Sequence, residues 1–130
     1  MGMISNNKRQ ISIYYDGKSK LGKTSLAAAE AADVDLKRID LRKEKVPATE
    51  WAEIANLLDV KVVELINQTH PIFREIYGDK QVNLDAKDAI KILKNHPETL
   101  VHPIAIRGKD AIHVRVSTDL RKLINPDSKK

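Results

Sequence analysis

The segment Gly17-Lys18-Ser19-Lys20-Leu21-Gly22-Lys23-Thr24 satisfies the spacing G-x-x-x-x-G-K-[ST], the pattern of a loop that wraps phosphates. In such a loop the backbone N–H groups ring the phosphates, Lys23 would reach the β- and γ-phosphates, and Thr24 would hold Mg²⁺. A simpler chemistry fits the same residues. A helix N-terminus presents unpaired N–H groups and a positive dipole end, and Lys18, Lys20 and Lys23 add charge there. A phosphate-like anion could bind without any nucleotide. A structural reading also stands, in which Gly17 and Gly22 shape a turn and the lysines are solvated. Ser19 has no neighbouring residue in sequence to act as its base, which argues against a hydrolytic nucleophile.

Other chemistries are excluded or unsupported. The chain has no cysteine, so it can form no disulfide, thiolate nucleophile or thiolate metal site. Four histidines (His70, His96, His102 and His113) show no metal spacing, and three of them directly precede a proline. Asp85 and Asp88 suit a helix start better than a catalytic pair. We therefore expect neither a metal nor a cofactor. The net charge of +5 is spread along the chain and into its tails at Lys8, Arg9, Lys129 and Lys130. It suits contact with anions. One Phe and one Trp are too few stacking aromatics for a single-strand nucleic-acid binder. With no apolar run of membrane length and no secretory leader, the expectation is a cytoplasmic protein without membrane contact.

The elements that must position the loop can be read from periodicity. Gln10 to Tyr15 alternates as a strand and leads into the glycine-bounded loop. Lys23 to Ala32, rich in alanine, reads as a helix starting at or soon after Ser19. With the start at Ser19, that residue is the N-cap and its hydroxyl meets the N–H of Leu21 or Gly22. Gly22 would then be a mildly unfavourable helix residue. Leu36 to Leu41 is a second strand. Thr49 is the expected N-cap of a helix to about Leu58, Val60 to Asn67 a short helix, Ile72 to Tyr77 a further turn, and Asp85 the cap of a helix to Asn95. Pro103 to Ile106 and Ala111 to Val116 form a hairpin, and Ser117 caps a last helix through Ile124, ended by Asn125-Pro126.

The order βαβ, helical stretch, ββα predicts an α/β protein with one domain over residues 1–130. Two parallel strands are joined by a crossover helix, the hairpin extends the sheet antiparallel, and residues 48–96 form a helical insert. That plan is a thioredoxin-like fold with a four-stranded mixed sheet. It leaves little room for the several parallel strands of a nucleotide-hydrolysing domain. The acidic metal partner of such a domain would have to be Asp40, which ends the charged stretch Leu36-Lys37-Arg38-Ile39, a poor buried parallel strand.

Several stretches resemble, in order and spacing, the arsenate reductase-related family, which includes the Spx transcription regulators. They are Ile13-Tyr14-Tyr15-Asp16-Gly17-Lys18-Ser19, Ile66-Asn67-Gln68-Thr69, Phe73-Arg74-Glu75-Ile76, Ile92-Leu93-Lys94-Asn95-His96-Pro97 and Val101-His102-Pro103-Ile104. The resemblance puts Ser19 at the catalytic cysteine position and Gly22 at a second cysteine position. It implies a cis bond before Pro103. Of the three arginines that surround the oxyanion in such enzymes, only Arg115 is matched; Asn67 and His102 stand at the other two. A serine cannot form the mixed disulfide that the thiol route requires. The resemblance therefore implies a pseudoenzyme, a non-catalytic binding or regulatory module that engages a protein partner or small anion. The candidate contacts are Lys18, Ser19, Lys20, Lys23, Asn67, His102, Pro103 and Arg115. RNA polymerase is the partner that the Spx resemblance suggests. A reductase in fold only and a phosphate or nucleotide binder through residues 17–24 are the alternatives.

Overall fold

The computed structural model describes residues 10–32, 34–78 and 83–124. Its centre is β1 (Gln10–Tyr15), of which every residue after Gln10 is buried. That strand can be apolar on both sides because both sides are covered, as in a sheet with helices on each face. β2 (Asp35–Asp40) pairs with it in parallel and β3 (Ile104–Arg107) antiparallel, and β4 (Asp110–His113) pairs antiparallel with β3, giving the order β2-β1-β3-β4. The parallel pair is joined by helix α1 (Lys20–Ala31). The predicted four-stranded mixed sheet is thus observed.

Side chains alternate between two cores, as a two-residue period requires. Tyr14, Ile104 and Ile106 face one side, packed with Trp51, Ile54, Leu65, Phe73 and Leu93. Ile11, Ala105 and Val114 belong to the other core, with Ala29 of α1 and with Leu120 and Leu123 near the chain's end. The first core is supplied by the helical stretch α2 (Ala48–Leu58), α3 (Pro71–Tyr77) and α4 (Ala86–Asn95). Local chemistry starts two of these helices. The Asp85 carboxylate accepts the Asp88 N–H at 2.8 Å, and His70 Nδ1 accepts the Ile72 N–H at 3.1 Å. Among the described residues no helix is long and apolar enough to cross a membrane.

Several expected boundaries move. Helix α2 starts at Ala48, not after a Thr49 cap: the Pro47 carbonyl already accepts the N–H groups of Glu50 and Trp51, and proline's preset φ suits a helix entrance. The expected helix at 60–67 shrinks to a 3-10 turn, Val62–Leu65, because the chain then turns extended to bridge Ile66 to Leu100. At the end, Ser117 is not a cap. It opens a 3-10 turn, Ser117–Leu120, before a short α5 (Arg121–Ile124), and the Asp119 carboxylate accepts the N–H groups of Arg115 and Val116. Asn125-Pro126 lie outside the described residues. The bond before Pro103 is trans, not cis. Trans is the intrinsically preferred X-Pro isomer, and in it the Pro103 carbonyl accepts the Val114 N–H at 2.8 Å.

A buried polar pair ties the helical stretch to the sheet. The Tyr14 hydroxyl, on β1, donates to Glu50 Oε2 on α2 at 2.7 Å. Tyr14 is fully buried and Glu50 nearly so. Burial, then the Glu50 bond, push the phenol far above its ordinary pKa, so it remains a donor throughout the accessible pH range. Tyr14→Phe would leave the carboxylate without its donor and should lower stability by about 2 kcal/mol. Tyr14→Phe combined with Glu50→Leu should cost less than Tyr14→Phe alone, since no buried acceptor is then orphaned. Urea unfolding followed by emission of Trp51, the single tryptophan, reads both; a double variant less stable than Tyr14→Phe contradicts this account.

Candidate functional site

Strand register gathers four chain segments at one edge of the sheet. Tyr15 pairs with Asp40, Tyr14 with Ile104, and Ile104 with His113. The chain leaving β1, the chain leaving β2, the chain entering β3 and the chain leaving β4 therefore emerge together. In open α/β sheets this carboxyl edge of the parallel strands is where ligands bind.

The first segment is the glycine-bounded loop, and the N–H groups of Gly17, Lys18 and Ser19 are already engaged within the protein. The Gly17 N–H donates to the Asp40 carboxylate at 3.1 Å, and the Lys18 N–H to the Asp16 carboxylate at 3.0 Å. The Ser19 N–H donates to the Asp16 carbonyl at 3.0 Å. Helix α1 begins at Lys20, with Ser19 as its N-cap. The Ser19 hydroxyl accepts the Gly22 N–H at 2.8 Å and donates to the Asp16 carbonyl at 3.1 Å, matching the expected cap. Lys20 to Lys23 are wound into helix, so the wide ring needed to circle a phosphate does not form. Lys23 and Thr24 are exposed, and the Thr24 hydroxyl bonds back to the Leu21 carbonyl at 3.1 Å.

Both glycines have packing reasons. A Cβ on Gly17 would strike the Asp40 carboxylate, and one on Gly22 would strike the Asp16 carbonyl and the Ser19 hydroxyl. Gly22 is thus required by close approach, which corrects its reading as merely an unfavourable helix residue.

Arg42, just past β2, clamps the loop. Its Nε donates to Asp16 Oδ1 at 2.7 Å and its Nη2 to Oδ2 at 3.1 Å, a bidentate pair. The Arg42 N–H also donates to the Asp40 carboxylate at 2.9 Å. Burial alone would push the Asp16 carboxyl up. The Arg42 guanidinium and the Lys18 N–H outweigh it and hold the group below the usual carboxylate range, while Asp16 raises Arg42. The sequence alone points to neither Asp16 nor Arg42, and to Asp40 only as a metal partner. The parallel register makes these groups neighbours, and it is not a local feature of the chain.

The opposite side of the edge holds the remaining candidates. Asn67 is tied beside the entrance to β3: its N–H donates to the Thr99 carbonyl at 2.7 Å, and the Val101 N–H to the Leu65 carbonyl at 2.8 Å. Its side-chain oxygen accepts the Thr69 N–H and hydroxyl at 3.0 and 2.6 Å, so it shapes a turn. His102 stands edge-on to His113, with ring centroids 6.0 Å apart. Burial, then the charge of Arg115, lowers the pKa of both rings. His113 Nδ1 is buried without a partner; its place here was not expected from the sequence. Pro103 is buried, and Arg115 is exposed with its backbone anchored by Asp119. Lys18 and Lys20 are exposed. The exposed side chains at the edge are thus mainly cations, with the Asp16 and Asp40 carboxylates engaged inside the loop. No group of three or more metal-ligating side chains occurs among the described residues.

Solved structures share this fold. The arsenate reductase from Vibrio cholerae matches with a TM-score of 0.73 and 18% identity, over 90% of this chain and 99% of its own. A possible arsenate reductase from Streptococcus mutans matches at 0.59 and 20% identity, over 85% of this chain and 96% of its own. An arsenate reductase-related protein from Brucella melitensis matches at 0.60 and 18%, over 86% and 92%. The protein therefore has the thioredoxin-like fold of the arsenate reductase structures, as the sequence resemblance implied, in a chain without cysteine. No protein-family model matches the sequence, and no curated protein does.

Two outcomes follow from the clamped loop. Gly→Ala inside a helix ordinarily stabilises by about 1 kcal/mol, but Gly22→Ala should destabilise by about 1–3 kcal/mol, because the backbone it strikes must shift. A gain in stability on denaturation would contradict the close approach. Asp16→Asn should cost about 2 kcal/mol at pH 7. Because the folded carboxyl lies below its unfolded value, that contribution is complete above about pH 5 and is lost as the pH falls through the folded value. Stability curves of the two proteins should converge in acid; a constant gap down to pH 2 would contradict the assignment.

Proposed function

We propose that this protein is a non-catalytic binding module on the arsenate reductase fold, which engages an anionic group of a ligand or partner at the carboxyl edge of its sheet without turning it over. The observation that carries this reading is the state of Ser19. At the position where the resemblance places a catalytic thiol, the hydroxyl both caps α1 and donates to the Asp16 carbonyl. It is a structural group, and an alcohol is a far poorer nucleophile than a thiolate at neutral pH. The arginine nearest the loop is neutralised by Asp16.

The surface that remains is suited to binding. Lys18, Lys20 and Lys23 project from the loop and first turns of α1, and Arg115 lies across the edge next to the neutral rings of His102 and His113. Exposed cations of this kind supply long-range attraction that salt screens. They offer no preorganised ring for a nucleotide, because Asp40 and Asp16 occupy the N–H groups of Gly17 and Lys18 and Lys20 to Lys23 are wound into helix.

The purified protein should show no arsenate reduction with glutathione or thioredoxin as donor. Ser19→Cys should restore little, since one arginine stands where the enzymes use three. Turnover above the buffer control by the unaltered chain would refute the proposal. ATP with Mg²⁺ should bind no better than inorganic phosphate. Calorimetry showing micromolar, Mg²⁺-dependent binding that Lys23→Ala abolishes would establish nucleotide chemistry instead.

A further inference from the structure

Strand pairing brings two histidines and an arginine together at the carboxyl edge. His113 lies opposite Ile104. The Val114 N–H donates to the Pro103 carbonyl at 2.8 Å, which carries the same register onward and sets His102 beside Arg115. The two rings meet edge-on, with centroids 6.0 Å apart, and both are half-buried. Arg115 acts on both rings, Asp119 on His102 and Glu64 on His113. The Asp119 carboxylate also accepts the N–H groups of Arg115 and Val116 and lies 3.7 Å from the Lys122 ammonium. That of Glu64 accepts the Lys61 N–H at 2.6 Å. Arg115 and Lys122 thus balance Asp119 and Glu64. With both rings neutral this neighbourhood has no surplus positive charge, and one proton on the pair supplies it.

Burial decides which ring can take that proton. His113 Nδ1 is buried without a partner. A hydrogen there would be a buried donor with no acceptor, a costlier defect than an unused lone pair. Neutral His113 therefore carries its hydrogen on Nε2, and charging the ring would create the orphaned Nδ1–H. Glu64 favours that charge, but Arg115 and His102 oppose it. His102 is open enough for water to meet its hydrogens, and Asp119 favours its charged form.

We propose that the carboxyl edge binds its anion together with a proton on His102, with His113 as the neutral neighbour, so that acidification tightens binding. This rests on the reading of the edge as an anion-binding surface. Arg115 couples the two events. Burial first, and then Arg115, oppose a proton on His102; an anion settling on Arg115 removes the second obstacle. By linkage, the proton then favours the anion by the same factor. Histidine is the side chain suited to such coupling near neutral pH.

Sulfate is the probe, because it stays dianionic across the histidine range and adds no titration of its own. Its affinity for the full chain, read from amide NMR shifts at constant ionic strength, should be at least about fivefold higher near pH 5.5 than near pH 7.5. The saturable shifts should include residues 102 and 113–116. His102→Gln should reduce that ratio to below about twofold, whereas His96→Gln, outside the pair, should keep it. Without sulfate, the ring signals of ¹⁵N-labelled histidine should show His102 gaining a proton as the pH falls while His113 stays the Nε2–H tautomer. Arg115→Gln should move the His102 titration to higher pH. These ring signals, read on the unaltered chain, test the proton's location even if a variant fails to fold. Acid-tightened binding that survives His102→Gln, or a proton on His113 before His102, would overturn the proposal and leave the edge as an anion surface. Equal sulfate affinity at the two pH values would do the same. No saturable shift at the edge at either pH would overturn the proposal and the anion reading together.

Discussion

The contact on which the candidate site depends is the bidentate pair between Asp16 and Arg42. Asp16 is nearly buried, at 8% exposure, and a buried carboxylate is tolerated only when paired and hydrogen-bonded. Here it has both the guanidinium and the Lys18 N–H. The Arg42 side chain is 30% exposed, so water screens part of the attraction. The pair's larger consequence is geometric. It fixes the loop after β1 to the turn after β2, and the backbone carbonyl of the same Asp16 then receives both the N–H and the hydroxyl of Ser19. The start of α1 is set by that sequence of contacts.

Two carboxylates therefore act as built-in anions. In a phosphate-binding loop the N–H groups point at an external ligand, whereas here those of Gly17 and Lys18 point at Asp40 and Asp16. An internal carboxylate held by the fold competes with a dissolved anion without losing translational freedom on binding, so the loop is self-satisfied. The two glycines of the pattern serve this arrangement. Each allows an acceptor of the protein to come closer than a Cβ would permit.

The rest of the fold supports the carboxyl edge from below. β1 is buried on both faces, with the helical stretch on one and α1 and α5 on the other. Tyr14 and Glu50 anchor α2 to that strand through the core. The bridge from Ile66 to Leu100 returns the helical stretch to the sheet beside His102 and Pro103, which is what places Asn67 near the site despite its distance in sequence. The Asp16–Arg42 pair on one side and the His102–His113 contact on the other leave a surface of cations and neutral rings between rigid elements.

The element types were legible in the sequence because they rest on short-range physics. Alternation in Ile11-Ser12-Ile13, alanine richness after Lys20, Asp85 before an apolar stripe and the serine cap at position 19 each act within a few residues. The absence of thiol chemistry followed from composition alone. Boundaries shifted where a tertiary contact intervened, as where the bridge from Ile66 to Leu100 draws the chain out of the expected helix at 60–67. The bond before Pro103 is trans, the intrinsically preferred X-Pro isomer; the cis expectation rested on resemblance and not on any residue nearby. The meaning of the loop was beyond the sequence. Gly17-Lys18-Ser19-Lys20-Leu21-Gly22-Lys23-Thr24 is compatible with a ring around a phosphate or with a capped helix. The choice was made by Asp40 and Arg42, more than 15 residues away in the chain and neighbours only because β2 pairs in parallel with β1.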